Sequence, residues 1–403
     1  MFKNIRHLCA CAGLAATPAA LGQVGGLYLP ENGGPASGTA MAGQAATARD
    51  AQTAWLNPAG MTRLENPEIM VSVMPFYLDL QFNPSSATTI PGSDGGQQGG
   101  WLPGAGLFLA APVNDRVAFG FSVTAPAGLI LDPDDSWAGR SYLTEATVAV
   151  LNFQPSFAFQ ATDELSFGVG VDVQYATLEM DFGLPGGGGG PAGGTASIDG
   201  DNWEVGASLG VLWEPSEKWR LGARYRTAMD HELGGDFTIV AGQQASTSFT
   251  MPQSLTFSLH HQVSEKFAVM ADAGWTDWSA FKRTVINTEV AGFEIDRNWR
   301  DVYNVGLGLH YRPADEWLVM AGFGFATSAV SDENRTPDLP TDRQFRLSVG
   351  LEYEVSDAIR VGGTFTYLNM GDNRIDQSRG PGRLAGSYDA DAYLIGLYAA
   401  FGF

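Results

Sequence analysis

The sequence predicts an all-β protein: a transmembrane antiparallel β-barrel of about 14 strands, preceded by a small segment without strands. Three observations carry this. Long segments alternate apolar with small or polar residues. Tight turns trade places regularly with long polar connections. Aromatic residues gather near the segment ends.

From about Pro67 onward, segments of roughly 10–16 residues repeat with period two. In the last one, Tyr393, Ile395, Leu397, Ala399, Phe401 and Phe403 share one face, and Ala392, Gly396, Tyr398, Ala400 and Gly402 share the other. Leu165, Phe167, Val169, Val171, Val173 and Tyr175 alternate with Ser166, Gly168, Gly170, Asp172 and Gln174. Phe345, Leu347, Val349, Leu351 and Tyr353 alternate with Arg346, Ser348, Gly350, Glu352 and Glu354. An apolar face opposite Gly, Ser, Arg or Glu suits a wall between lipid and a lumen. A soluble sandwich also alternates, but its strands run to about 5–6 residues, whereas a tilted membrane strand needs roughly 9–11.

The connections come in two kinds. Val113-Asn114-Asp115, Thr162-Asp163, Pro215-Ser216-Glu217, Ser264-Glu265, Pro313-Ala314-Asp315 and Ser356-Asp357 are tight turns built from turn-forming residues. Between them lie long polar stretches at about 83–100, 128–144, 181–199, 232–251, 279–297, 328–341 and 371–388. Short turns on one side and long loops on the other are the asymmetry of an outer-membrane barrel. Strand starts are expected near Pro67, Trp101, Arg116, Glu145, Glu164, Gly200, Lys218, Pro252, Lys266, Asn298, Glu316, Asp342, Ala358 and Asp389. The even count puts both ends of the barrel on the short-turn, periplasmic side. Trp213, Trp219, Trp275, Trp278, Trp299, Tyr311 and Trp317 fall where interfacial girdles would place them, and since any one of them could equally anchor a loop, only the group carries weight. The terminal Phe403 closes an alternating strand, as in the signal read during outer-membrane assembly.

Composition agrees. The chain holds 51 Gly in 403 residues, 44% hydrophobic residues and 11% aromatics. After the N-terminus no stretch approaches the roughly 18 apolar residues of a spanning helix. Lys3 and Arg6 followed by the apolar stretch Leu8 to Leu21 read as an export signal, with Ala20-Leu21-Gly22 as the cleavage site and a mature chain from near Gln23. Three regions result: a signal peptide at 1–22, a compact segment at 23–66 with room for a short helix or two, and a barrel at 67–403. Cys9 and Cys11 both lie in the signal, so the mature chain has no disulfide or thiolate metal site. The formal net charge of −21 argues against nucleic-acid binding.

Chemistry is sparse. His260 and His261 are adjacent on a strand, point to opposite faces and cannot share a metal. Asp199-Gly200-Asp201-Asn202 has no downstream Glu of a calcium loop and reads as a polar turn, and Gly186 to Gly190 has no following Gly-Lys-Ser/Thr for phosphate. Ser258 and His260 share a face, but no nucleophile motif surrounds them. Neither an enzyme nor a cofactor or metal is expected.

Ala42-Gly43-Gln44-Ala45-Ala46, Asp50-Ala51 and Asn57-Pro58-Ala59-Gly60 resemble the N-terminal hatch of the FadL/TodX family of outer-membrane transporters for hydrophobic compounds. Phe119 to Gly128, Met251-Pro252-Gln253-Ser254-Leu255, Trp275-Thr276-Asp277-Trp278-Ser279 and Pro337-Asp338-Leu339-Pro340 extend the resemblance along the barrel. It departs at Gly186–Gly190 and the Pro191-Ala192-Gly193-Gly194 that follows, where the family collects substrate with a long loop. The resemblance implies passive uptake of hydrophobic molecules, long-chain fatty acids foremost, through a lumen occluded by residues 23–66. Asn57, Pro58, Ala59 and Gly60 would form the hatch turn. A defect in the third strand would give the ligand a lateral exit, here near Ala125, Pro126, Ala127 and Gly128; Pro lacks an N–H and Gly weakens a strand, so this stretch can interrupt the ladder. Expected partners are a fatty acid or hydrocarbon ligand, outer-membrane lipid and lipopolysaccharide, and the barrel-assembly machinery, with the protein a monomer. The competing readings are a general porin and a structural or adhesin barrel.

Overall fold

The computed structural model describes residues 29–183, 195–237, 243–288, 292–379 and 382–403. The expected signal segment and the glycine run at 186–190 lie outside these residues. The chain forms a closed antiparallel barrel of 14 strands. Each strand pairs with the next, as Leu165↔Trp213 illustrates. The ring closes where Glu68–Val73 pairs with Gly382–Gly402, from Glu68↔Gly402 to Val73↔Leu397. Closure leaves no edge, so backbone groups at membrane depth are satisfied within the wall.

Side chains sort as the alternation requires. Val169, Val171, Leu209, Leu307, Leu347, Val349, Ile395 and Leu397 are exposed on the outer wall, while Asp172, Gln174, Ser208, Arg226, Arg346, Glu352 and Tyr398 are buried on the inner one. Tight turns occur at all six expected places.

Three expectations are corrected. Several connections assigned as long loops are paired ribbon. Ile359–Arg379 and Gly382–Gly402 pair almost throughout, through stretch 371–388. Arg283–Thr288 pairs with Gly292–Asp296, and Met229–Phe237 with Gln243–Met251. Beyond the membrane the outer face meets water and carries polar residues, while the inner face stays buried at Ile375, Leu384, Tyr388 and Leu233, so the apolar outer band that marks a membrane strand is missing and the sequence looks like loop. For the same reason Asp199-Gly200-Asp201-Asn202 lies within the strand Thr195–Ser216, with Asp201 opposite Gly234, and is not a turn.

The second concerns the aromatics, which divide between the girdle and the loop-anchor alternative. Trp213, Trp219 and Trp317 are exposed. Trp278 and Trp299 are instead buried with Phe281, Val302, Ala329 and Val330. They stack edge to face with Phe281, and with each other at 5.1 Å between centroids. Spacing along the chain does not separate a girdle residue from one folded back beneath a loop.

The third concerns the interrupted strand. The break was expected in the third strand alone. The first strand is also divided, into Glu68–Val73 and Phe76–Pro84, and the second into Gly100–Leu102 and Ala105–Asn114. Pro75 and Pro103 sit at those divisions and have no N–H to donate. The third strand, Val117–Leu131, runs on but shifts register against the fourth between Thr124 and Ala127. Its pairing with the second strand ends at Thr124↔Gly106. Three neighbouring strands are therefore disturbed in one region of the wall.

Candidate functional site

Residues 29–66 fold against the inner wall as short turns. A 3-10 helix spans Pro35–Thr39, a single α-turn Thr53–Leu56 and a second 3-10 helix Pro58–Arg63. These are too short to stand alone, and the barrel supplies what holds them. Asn57 is wholly buried. Its side-chain oxygen accepts from the Ala59 N–H, capping the helix that Pro58 begins. Its Nδ2 donates to the Ala45 carbonyl at 2.6 Å and to the Val211 carbonyl of the wall at 3.0 Å. The Asn-Pro pair thus closes the local turn and ties it to a strand.

Further ties reach the wall. Asp272 accepts from the Gly43 N–H at 2.7 Å and from Gln44, and Ser258 accepts from the Ala45 N–H at 3.0 Å. Ser258 is therefore an anchor of this segment. Arg346 pairs with Glu31 at 2.7 Å. Arg49 pairs with Glu352, which also accepts from the Tyr398 hydroxyl at 2.9 Å. Arg360 pairs with Glu68, and Glu68 accepts from the Ala51 N–H. Burial pushes the Asp50 carboxyl up to about 6, against the opposing charge of Arg49. Arg226 lies over the Trp55 ring, 3.7 Å from its centroid. Wall glycines let the backbones meet: a methyl group on Gly222 would overlap the Ala45 carbonyl.

A cavity of about 840 Å³, its open mouth included, lies within the barrel. Val148, Val150, Leu178, Met180, Met251 and Ile286 form much of an overwhelmingly apolar lining. Phe249, Trp278 and Phe281 add aromatic faces, and Arg297 and Asp338 are its charged members. Ala127 and Gly128, from the disturbed stretch of the third strand, line the same cavity. The carbonyl of Pro126 accepts from the Leu29 N–H at 2.7 Å, so the N-terminal segment touches this stretch too. Its walls suit hydrocarbon.

The family described as outer membrane protein transport protein (OMPP1/FadL/TodX) matches residues 15–403. The chain belongs to this family. Family members are outer-membrane channels for hydrophobic compounds and not enzymes. Among relatives of the FadL/TodX chain, the long-chain fatty acid transport protein of Escherichia coli O6:H1 is 24% identical, with 94% of each chain covered. Outer membrane protein P1 of Haemophilus influenzae is 27% identical over 82% of this chain and 83% of its own. The fold matches a Pseudomonas aeruginosa FadL homologue with a TM-score of 0.86, at 22% identity, covering 94% of this chain and all of that one. It matches the P. putida toluene transporter TodX with a TM-score of 0.67, at 18% identity, covering 86% and 92%.

In this FadL/TodX chain, Asn57, Pro58, Ala59 and Gly60 gather at the foot of the N-terminal segment, apart from the cavity, whereas Ala127 and Gly128 reach it. Arg297, Phe249 and Phe281 were not singled out from sequence. Met251, Asp338 and Leu339 stood only inside stretches that resemble the family, and Trp278 stood there and among the candidate girdle aromatics. Nothing in their spacing signals a shared site, because they come from three separate regions of the chain.

The ion pairs make a graded prediction. Glu352 is buried, and removing its cation should leave a poorly compensated charge, costing about 3–5 kcal/mol where burial is complete. Arg49→Ala should loosen residues 29–66 and raise single-channel conductance in planar bilayers. Arg63→Ala, which breaks the more exposed pair with Glu214, should change it little. Equal effects of the two substitutions would show that the Arg49–Glu352 pair is no anchor.

Proposed function

We propose that this protein admits hydrophobic small molecules passively, holds them in the apolar cavity and releases them sideways into the bilayer at the disturbed third strand. Residues 23–66 act as the hatch that closes the lumen to water and ions. The observation that carries the reading is that one cavity touches both the apolar lining and Ala127 and Gly128, where pairing with the second strand has ceased. The relatives' names print long-chain fatty acid and toluene as cargo, and the hydrocarbon part of either suits such walls. The exposed apolar band faces outer-membrane lipid in this reading.

A general porin would instead pass sugars. The purified protein should form a heat-modifiable band and give no swelling in liposomes with arabinose outside. Cells carrying it should take up radiolabelled toluene several-fold faster than cells lacking it. Rapid sugar-driven swelling together with unchanged uptake would replace this reading with the porin.

A further inference from the structure

The cavity's two charged residues neutralise one another. Arg297 and Asp338 are 2% and 4% exposed. Nη2 of Arg297 donates to Oδ2 of Asp338 at 2.6 Å and Nη1 to Oδ1 at 3.0 Å, a two-pronged pairing. Nη1 donates also to the Thr336 hydroxyl, and Nε to the Thr284 hydroxyl at 2.9 Å. The guanidinium stands 5.7 Å from the ring centroid of Phe281, another lining residue. Burial would raise the Asp338 carboxyl, but the charge and hydrogen bonds of Arg297 prevail and hold it below the usual carboxylate range. Among the described residues the rest of the lining carries no formal charge.

Such a cavity receives ligand head groups unequally. A carboxylate would find the guanidinium fork already occupied and the Asp338 carboxylate beside it. Like charges repel strongly where water is scarce. Displacing Asp338 would leave a buried carboxylate without its partner, which is costly. An uncharged molecule meets neither obstacle. A buried ion pair is seldom better for stability than apolar residues of the same size, so its presence in an otherwise hydrocarbon-lined space calls for another role. Discrimination often rests on a built-in penalty against the wrong ligand.

We propose that the cavity selects uncharged hydrophobic molecules, and that the closed Arg297–Asp338 pair is the element that turns away free carboxylates. This rests on the transport reading above and narrows its cargo from fatty acids to alkanes, alkylbenzenes or esters. Asp338 is the determinant, since it both occupies Arg297 and supplies the repulsion.

The test compares two ligands with the same chain. Equilibrium binding of tritiated palmitate and tritiated methyl palmitate is measured on the purified full-length barrel in mild detergent at about pH 8, where the acid is ionised. Wild type should bind the ester about tenfold or more tightly than palmitate. Asp338→Asn frees Arg297 and removes the repulsion, so palmitate should tighten about tenfold relative to the ester. Asp338→Glu, which keeps the charge, should retain the preference for the ester. Equal wild-type affinities, or Asp338→Asn folded and heat-modifiable with no gain for palmitate, would overturn the proposal. The wild-type comparison decides the matter even if a variant fails to fold. If wild type binds neither ligand, the cavity is no ligand site and the transport reading falls with it, a result distinct from equal binding.

Discussion

Deleting residues 23–66 should leave a folded, heat-modifiable barrel whose single-channel conductance rises by an order of magnitude or more. The wall's stability resides in its closed ladder, which the segment does not join. Its removal exposes Asp272, Ser258, Glu352 and Arg346, all of which now bond to it. In a soluble core that would be ruinous. In an opened lumen water reaches these groups, and a water-filled lumen lined with charge is the ordinary condition of a porin. The glycines that now admit the segment, Gly222 and Gly210 among them, leave extra room once it is gone. Planar-bilayer recordings read the result directly. A deletion protein that inserts and shows wild-type conductance would mean that these residues do not occlude the pore.

Replacing Ala125-Pro126-Ala127-Gly128 with Val-Thr-Val-Thr should reduce uptake of a fatty acid or hydrocarbon sharply while leaving ligand binding nearly intact. A hydrophobic ligand released to the periplasm would meet water again at about 0.8 kcal/mol per CH₂, and a side exit avoids that cost. The substitution returns the N–H that Pro126 lacks and stiffens a stretch that shifts register after Thr124. Each restored ladder bond contributes about 0.5–1.5 kcal/mol, enough together to favour a closed wall. Because Pro103 interrupts the facing second strand, the added change Pro103→Val should deepen the loss. Uptake in cells and binding to purified protein separate the outcomes. Unaltered uptake by an abundant, folded variant would place the exit elsewhere.

The barrel was legible because its signal is local. Leu347, Val349 and Leu351 against Arg346, Ser348 and Gly350 state the two faces of one strand within six residues, and turn chemistry at Ser356-Asp357 states where it ends. Asn57-Pro58 stood out only through the family resemblance; that it caps a helix and ties it to the wall appears in the folded chain. The ribbons beyond the membrane were not legible, because water on their outer face removes the apolar band that marks a membrane strand, although their inner face is buried at Ile375, Leu384 and Leu233. Trp278 and Trp299 stayed open between girdle and loop anchor, because periodicity gives a side chain's direction and not its depth.

The sequence by itself determined the strand number, the faces and the turns. Each depends on residues no more than a few positions apart. The tertiary structure alone decided which residues share the cavity. Ala127, Met251, Phe281, Arg297 and Asp338 come from strands and loops spread over most of the barrel, and they meet only because closing the ring points them at one interior space. It also decided that Arg297 is already paired. The charge a ligand meets is a sum over groups distant in the chain, and that sum exists only once the wall has closed.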